Sequence, residues 1–270
     1  MPPRLPFGEV LSESFSFFFG NLRFFFHLVT IPWILSLLLR VLDATAGQDA
    51  PMGALFEKVL DAVPTTMFMV GWMRFVLLGP RGVQRLPGIG WTRRETNFLI
   101  HLIQVAGITF VLLAAFLLTV GSIDPAALNS GQIDPQLVRR EAMAAPLGLG
   151  FIVSSLLALR VSFGLAATAV DVPFSPRHSW AYSRGNGRGV IAVLFVIYLA
   201  GALAIMMAAL VPYAVVNGIF GADLGAAVVA WASGILVSYA SVGVAATAQA
   251  VVFRRLTKWR PGTALEPPSA

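Results

Sequence analysis

The chain of 270 residues contains no cysteine. This absence excludes disulfides, thiol catalysis and thiolate metal ligands, although it leaves the redox compartment open. Charge is scarce as well, because Asp, Glu, Lys and Arg together make up 12% of the residues, against about 25% in soluble domains. So few charges cannot cover a water-facing surface, and the mean hydropathy of +0.79 points the same way. We therefore expect a membrane protein.

Motifs for catalysis and metal binding are also lacking. The three histidines, His27, His101 and His178, do not pair at metal-ligand spacing, and we interpret them as polar residues near the membrane interface. The sequence has no Gly-x-Ser-x-Gly turn and no Walker loop. These absences predict a non-enzymatic protein without catalytic residues, metal or cofactor.

Long apolar runs dominate what is present. A helix needs about 20 apolar residues to cross the hydrocarbon core. Six runs are candidates: 24–42, 59–79, 98–120, 147–170, 189–211 and 225–253. The second is the weakest, because it contains Asp61, Pro64 and Arg74. The runs are continuously apolar rather than alternating, which favours helices over a barrel of strands.

These runs predict an all-α, polytopic membrane helix bundle. We expect six transmembrane helices, arranged as three antiparallel pairs in a single domain over 1–260, with amphipathic surface helices on the cytoplasmic side. One such helix begins with Ser175 as N-cap and Pro176 at the first helical position. Residues 261–270 are rich in proline and are predicted to be a disordered cytoplasmic tail.

Small residues recur every fourth position in three of the runs, for example Ala200, Ala204 and Ala208. Such rows predict close helix contacts. We expect most of these contacts inside the bundle, and the alternative is contact with a membrane-protein partner or a second copy of the chain.

The distribution of basic residues predicts the orientation. Lys and Arg are retained on the cytoplasmic side of short membrane loops. The N-terminal segment, the loops 80–97 and 171–188, and the C-terminal segment hold 13 of the 19 Lys and Arg residues. These segments alternate with acidic ones along the chain. The alternation predicts six crossings of the bacterial inner membrane with both termini in the cytoplasm.

A short pattern precedes two of the apolar runs. It reads Gly20-Asn21-Leu22-Arg23 before the first and Gly185-Asn186-Gly187-Arg188 before the fifth, and Asn97 stands before the third. We interpret it as a corner in which glycine ends a surface helix in the left-handed conformation, asparagine caps the next helix, and arginine meets headgroups. The corner suggests a three-fold internal repeat starting near 5, 85 and 175. The alternative is coincidence, since Gly and Asn are common before any helix.

Two segments carry a family resemblance. GWMRFVLLGPRG and IGWTRRETNFL within 71–99, and LRVSFGLAATAVDVPFSPRHSWAYSRGNGRGV at 159–190, resemble segments of uncharacterised bacterial six-span membrane proteins. That group is similar, more distantly, to the membrane domain of some glycerophosphodiester phosphodiesterases. The resemblance implies a helical inner-membrane protein and carries over no catalytic residues, because the phosphodiesterase chemistry belongs to a separate soluble domain.

Charges within the apolar runs are the most informative candidates. A charge at the bilayer centre costs at least about 2.5–3.5 kcal/mol. Arg160 lies well inside the fourth run. Arg74 is close enough to the end of the second run for its long side chain to reach the interface. The functional hypothesis is an intramembrane site for a lipid headgroup or another anion. The structural alternative bonds Arg160 to a neighbouring helix, through carbonyls or Asp61. We expect Asp61 itself to pair with Lys58.

The C-terminal segment adds a cluster of cations, Arg254, Arg255, Lys258 and Arg260. Each would contribute about 1 kcal/mol of attraction to anionic lipid. Nucleic acid is not expected, because topology already accounts for basic residues at the ends of spans. Membrane lipids, especially anionic ones, are thus the predicted partners. The function we expect is that of a scaffold or accessory protein. The alternative is a transporter or permease for a small anionic or amphipathic solute.

Overall fold

The computed structural model describes residues 5–45, 51–83, 91–121, 150, 152–220 and 223–265, and all regular structure in these ranges is helical. The helices are α1 (Phe7–Gly20), α2 (Leu22–Thr45), α3 (Pro51–Leu78), a 3-10 turn (Pro80–Gly82), α4 (Arg93–Gly121), α5 (152–162), α6 (Gly164–Ala169), α7 (Pro176–Tyr182), α8 (Gly187–Phe220) and α9 (Asp223–Thr257). The predicted all-α class is confirmed for this part of the chain.

Five helical stretches in the described residues are long and apolar enough to cross a membrane. They are Leu22–Ala44, Arg93–Leu112, Ile152–Ala169, Gly187–Ile219 and Gly225–Thr257. Helix α3 is also long enough, with 28 residues, but it is not among these stretches. It contains the Asp61, Pro64 and Arg74 that made the second apolar run the weakest. A helical bundle of the membrane type is therefore confirmed, and a crossing by α3 stays a prediction.

The second half of α9 forms the axis of the bundle. Every residue over 243–253 is buried, and α9 packs against α1, α2, α3, α6 and α8. Small side chains permit this crowding, because Ala245, Ala246, Ala248 and Ala250 let neighbouring backbones approach closely. Dispersion contacts between densely packed surfaces replace the hydrophobic effect as the main source of stability for such an axis within lipid.

The most extensive packing between two described helices is that of α8 against α9. Gly201 faces Ser241 so closely that a Cβ on Gly201 would lie 2.8 Å from the Ser241 Cβ, and the Ser233 hydroxyl donates to the Ala208 carbonyl at 2.6 Å. The predicted row on α8 is only partly involved. Ala200 and Ala204 are exposed, and Gly201, one position further along, makes the close approach instead.

Aromatic rings fill the junction of α1, α2 and α3. Phe18, Phe25 and Phe68 surround Trp72 with ring centroids 5.5–6.2 Å apart. The Trp72 indole is fully buried, and its N–H donates to the Thr247 hydroxyl of α9 at 2.9 Å. This satisfied hydrogen bond makes the large ring compatible with a dry interior.

The outer face of α8 is apolar and exposed. Leu199, Leu203, Met207 and Leu210 each keep half or more of their surface accessible. Soluble monomers rarely expose apolar patches of this extent. In a membrane the same face would lie against lipid chains.

Candidate functional site

One end of the bundle gathers the basic segments of the chain. The Leu5 N–H donates to Asn186 Oδ1 at 2.7 Å, so the start of α1 lies beside the start of α8. An ion pair between Glu13 and Arg254 joins α1 to the end of α9, while α3, α4 and α6 meet at Asp171. We call this the basic end, and the opposite one the far end.

Asp171 holds three helix ends together. Both oxygens of its carboxylate lie 2.9 Å from Arg94 Nε and accept its hydrogen bond. Arg74 Nη1 lies 3.4 Å from Oδ2. Arg74 also donates to the carbonyls of Gly82 at 2.8 Å and Ala169 at 3.0 Å. With these partners Arg74 closes the basic end and is not directed into an intramembrane cavity.

Arg160 lies in a contact between α5 and the corner before α8. Its guanidinium is 3.6 Å from the centroid of the Trp180 ring, and its Nε donates to the Ser183 hydroxyl at 3.0 Å. A Cβ on Gly187 would lie 2.7 Å from that Nε, so α8 begins directly against the side chain. The long side chain therefore reaches from the apolar run to the polar corner. Asp61, suggested as its partner, bonds elsewhere.

The predicted corners differ in detail from expectation. Gly185 has the left-handed φ of 82°, as predicted, whereas Gly20 is the last helical residue of α1. The Asn21 side chain does not cap α2, because its Nδ2 donates back to the Phe17 carbonyl at 2.8 Å. The Asn186 carboxamide oxygen serves the start of α1 through Leu5. Asn21 therefore bonds to the preceding helix α1, and Asn186 bonds to a residue just before α1, which lies beside the corner.

The third predicted corner begins earlier than expected. Helix α4 starts at Arg93, so Asn97 lies within its second turn. Glu95 is buried and accepts from both the backbone N–H and the hydroxyl of Thr92. The Thr92-x-x-Glu95 spacing is a helix-start signal that could have been found in the sequence.

The predicted start of α7 is confirmed. Ser175 is the N-cap and forms a capping box with His178, and Pro176 lies in the first turn.

The C-terminal cations divide into two groups. Arg254 pairs with Glu13 at 2.5 Å, and Arg255 pairs with Glu9 at 3.0 Å and Glu13 at 2.8 Å. These pairs hold α1 against α9. They also neutralise the charges of Arg254 and Arg255, which were expected to face anionic lipid. Lys258 and Arg260 lie beyond α9 and are exposed.

A set of exposed cations remains at the basic end. Within the described ranges of the chain none of them forms an ion pair with a carboxylate: Arg23, Arg81, Arg93, Arg177, Arg184, Arg188, Lys258 and Arg260. They lie in the first turns of helices or in the segments beside helix ends, and the contacts above bring these to one end of the bundle. They give this end a strongly positive potential.

A groove opens between α4 and the connection that leads into α7. Its polar part is a cavity of about 440 Å³ lined by Asn97, His101 and Asp171 among others. Its apolar part, about 620 Å³, is lined by Ile108, Val111 and Arg177 among others, and both parts share Gln104. His101 is buried and its Nδ1 bonds to the Thr168 hydroxyl at 2.9 Å. The groove thus offers polar groups in one part, and a cation beside an apolar lining in the other.

A polar cavity also lies at the far end, where sequence reasoning placed only Asp61. Ser36 of α2 donates to Asp61 Oδ1 at 2.5 Å, and the Ser36 and Tyr239 hydroxyls are 2.8 Å apart. The cavity measures about 480 Å³ and is also lined by Arg40 and Trp231. The side chain of Lys58, the predicted partner of Asp61, lies outside the described residues. An acid inside an apolar run was the signal for this site, but its neighbours come from α2 and α9, distant in sequence.

Among the residues that the structure describes, no three His, Asp or Glu side chains are grouped so that they could hold a metal ion. Comparison with protein-family models, with curated proteins and with solved structures gives no match.

Proposed function

We propose that this chain is a non-enzymatic scaffold or accessory protein of the bacterial inner membrane, and that its basic end associates with anionic lipid on the cytoplasmic side. The observation that carries the proposal is the set of exposed cations at one end for which the described part of the chain provides no carboxylate partner. Anionic headgroups are the neutralising partner that a membrane supplies, at about 1 kcal/mol for each Lys or Arg near the surface.

The topology belongs to the same proposal. Phe24 of α2 stacks on Phe75 of α3 near the basic end, while Ser36 meets Asp61 much further along both helices. The two helices therefore run in opposite directions side by side. If α2 crosses the membrane, α3 crosses it too, which supports six crossings in three antiparallel pairs. Retention of basic loops in the cytoplasm then directs both termini inward.

The groove along α4 is the part of the basic end best suited to a lipid. Arg177 and Gln104 stand beside the apolar residues Ile108 and Val111. A phosphate would be attracted to the guanidinium while an acyl chain covered the apolar lining. The polar cavity around Asn97 would accommodate the remaining headgroup hydroxyls.

The test compares lipid retention by native mass spectrometry after reconstitution with equal amounts of phosphatidylglycerol and phosphatidylcholine. The wild-type protein should retain phosphatidylglycerol preferentially. Combined Arg177→Gln, Lys258→Gln and Arg260→Gln substitutions should reduce that preference about tenfold or more, since three attractions of about 1 kcal/mol are weakened. Co-purification of another membrane protein in fixed ratio would distinguish an accessory subunit from a scaffold acting alone.

A matched control removes an ion-paired cation and leaves unchanged the exposed cations for which the described residues provide no carboxylate partner. Arg254→Gln combined with Glu13→Gln deletes both ion pairs of Glu13, leaves Arg255 paired with Glu9 and does not change the net charge. This variant should retain phosphatidylglycerol as the wild type does. Equal loss in the control and in the triple variant, or no preference in the wild type, would contradict the proposal.

A transporter or permease for a small amphipathic solute is the second candidate. The far-end cavity favours it, because a carboxylate and a guanidinium line one space among membrane-type helices. Arg160, on which that alternative first rested, is engaged with Trp180 and Ser183.

A further inference from the structure

Three uncharged polar side chains follow one face of α4 along the groove. Asn97, His101 and Gln104 are four and three positions apart, so they lie on the same side of the helix over about 10 Å of its length. All three line the polar part of the groove, and we call them the polar row. The stretch Arg93–Leu112 is apolar enough to cross a membrane. Polar residues within such helices are expensive and tend to mark functional sites.

The polar row has hydrogen-bonding capacity that the described part of the chain does not use. Asn97 and Gln104 are exposed, and no group in the described ranges bonds to either carboxamide. His101 is buried, and its Nδ1 bonds to the Thr168 hydroxyl at 2.9 Å. Its Nε2 is buried without a hydrogen-bond partner among the same residues, although buried polar atoms normally have one. The row therefore offers donors and acceptors to a ligand.

The opposite wall of the groove is fixed in place. Pro173 and Pro176 line it and restrict the backbone of the connection into α7. Between them, the Phe174 ring stacks on Tyr182 with centroids 5.6 Å apart and meets the edge of Phe253 in α9 at 5.7 Å. A preformed wall spares a ligand the cost of ordering it.

The charges beside the polar row favour an anion at one point of the groove. Asp171 is paired with Arg94, and Arg74 lies near the same carboxylate, so Asp171 offers little attraction to an ammonium group. Arg177, beside the apolar lining, is exposed and forms no ion pair with a described carboxylate. A ligand that fits the groove therefore carries a negative charge near Arg177 and uncharged polar groups along the row.

We propose that the groove selects anionic lipids whose phosphate carries a polyol, such as the glycerol of phosphatidylglycerol. This inference rests on the proposed function and assigns the choice of headgroup to the polar row. Arg177 attracts the phosphate beside the apolar lining, which takes an acyl chain. The headgroup hydroxyls bond to Asn97 and Gln104 in the polar part, a cavity of about 440 Å³.

The match is one of donors with acceptors. A hydroxyl both donates and accepts hydrogen bonds, and so do a carboxamide and a neutral imidazole. The ammonium of phosphatidylethanolamine only donates, and the carboxylate of phosphatidylserine only accepts. Phosphatidic acid has no headgroup beyond its phosphate and leaves the row unsatisfied. A polyol is thus the headgroup that the row serves best.

The test separates the choice of headgroup from attraction to negative charge. The full-length protein is reconstituted with equal amounts of phosphatidylglycerol, phosphatidic acid, phosphatidylserine and phosphatidylcholine that carry identical acyl chains, and native mass spectrometry scores retained lipid. Phosphatidylglycerol should be retained about fivefold or more over phosphatidic acid and over phosphatidylserine, because at least two hydrogen bonds distinguish them. Phosphatidic acid carries at least as much negative charge, so attraction by charge alone would not produce this preference.

Substitutions connect the preference to the polar row. Asn97→Leu combined with Gln104→Leu should bring retention of phosphatidylglycerol and phosphatidic acid to within about twofold of each other. Both lipids should still exceed phosphatidylcholine, because Arg177 is unchanged. Asn217→Leu removes a carboxamide near the end of α8, away from the described lining of the groove, and should keep the wild-type ratios. Thermal unfolding in the same detergent identifies a double variant that does not fold, and the two single substitutions then replace it.

Equal retention of phosphatidylglycerol, phosphatidic acid and phosphatidylserine, all above phosphatidylcholine, would overturn this inference and leave the proposed function standing. Equal retention of all four lipids would contradict both. A folded double variant that kept the wild-type preference for phosphatidylglycerol would also overturn the inference, because the preference would then come from outside the polar row.

Discussion

At the scale of single residues, the charged side chains within the helices are mostly accounted for by partners. Arg74 bonds to two carbonyls and lies near Asp171, and Arg160 stacks on Trp180. Long guanidinium side chains can leave an apolar helix and reach polar groups at its end. Asp61 has a shorter side chain, and it stays at the depth where its helix places it.

Replacement of Arg160 should therefore affect stability and not ligand binding. Arg160→Ala removes a cation–π contact and a hydrogen bond, and we expect it to lower the free energy of unfolding by about 1–2 kcal/mol. Thermal unfolding in detergent measures the loss, with Arg184→Ala, an exposed cation of the same corner, as the control. Loss of bound lipid in Arg160→Ala without a change in melting temperature would instead make Arg160 a ligand-binding residue.

At the scale of helices, continuity and packing depend on local details. Helix α4 starts at Arg93 because Thr92 and Glu95 satisfy its first turn, and α8 starts after a left-handed glycine. The apolar runs could be recognised in the sequence because a helix needs about 20 apolar residues to cross a bilayer. The helix starts and the residue of closest approach were harder to predict, since they depend on hydrogen bonds and on contacts with other helices.

Gly201 gives the sharpest prediction at this scale. Gly201→Val should weaken the contact of α8 with α9, because a Cβ would lie 2.8 Å from the Ser241 side chain, and overpacking costs about 1–3 kcal/mol. Gly218→Val, in the same helix but with no atom of the described residues within 4 Å of its Cβ position, should be nearly neutral. Melting temperatures in one detergent compare the two variants, and equal destabilisation would refute the close approach of Gly201 to Ser241.

At the scale of the whole molecule, charge asymmetry and helix direction support the same arrangement. The alternation of basic and acidic segments predicted one basic end, and contacts such as Leu5 with Asn186 bring those segments together. The sequence could not reveal the ion pairs that bind α1 to α9, because Glu9 and Glu13 are more than 240 positions from Arg254 and Arg255. It could not assemble the far-end cavity for the same reason.

The most direct measurement is cysteine labelling in intact cells, which the absence of native cysteine makes simple. Single substitutions Ser12→Cys, Arg81→Cys, Arg184→Cys and Thr263→Cys report on the basic end, and Gly218→Cys reports on the far end. With six crossings and a cytoplasmic basic end, an impermeant maleimide added outside should label only Gly218→Cys, and permeabilised cells should show labelling of all five. Labelling of Arg81→Cys from outside while Ser12→Cys stays protected would mean that α3 does not cross. That result would contradict both the paired topology and the single basic end.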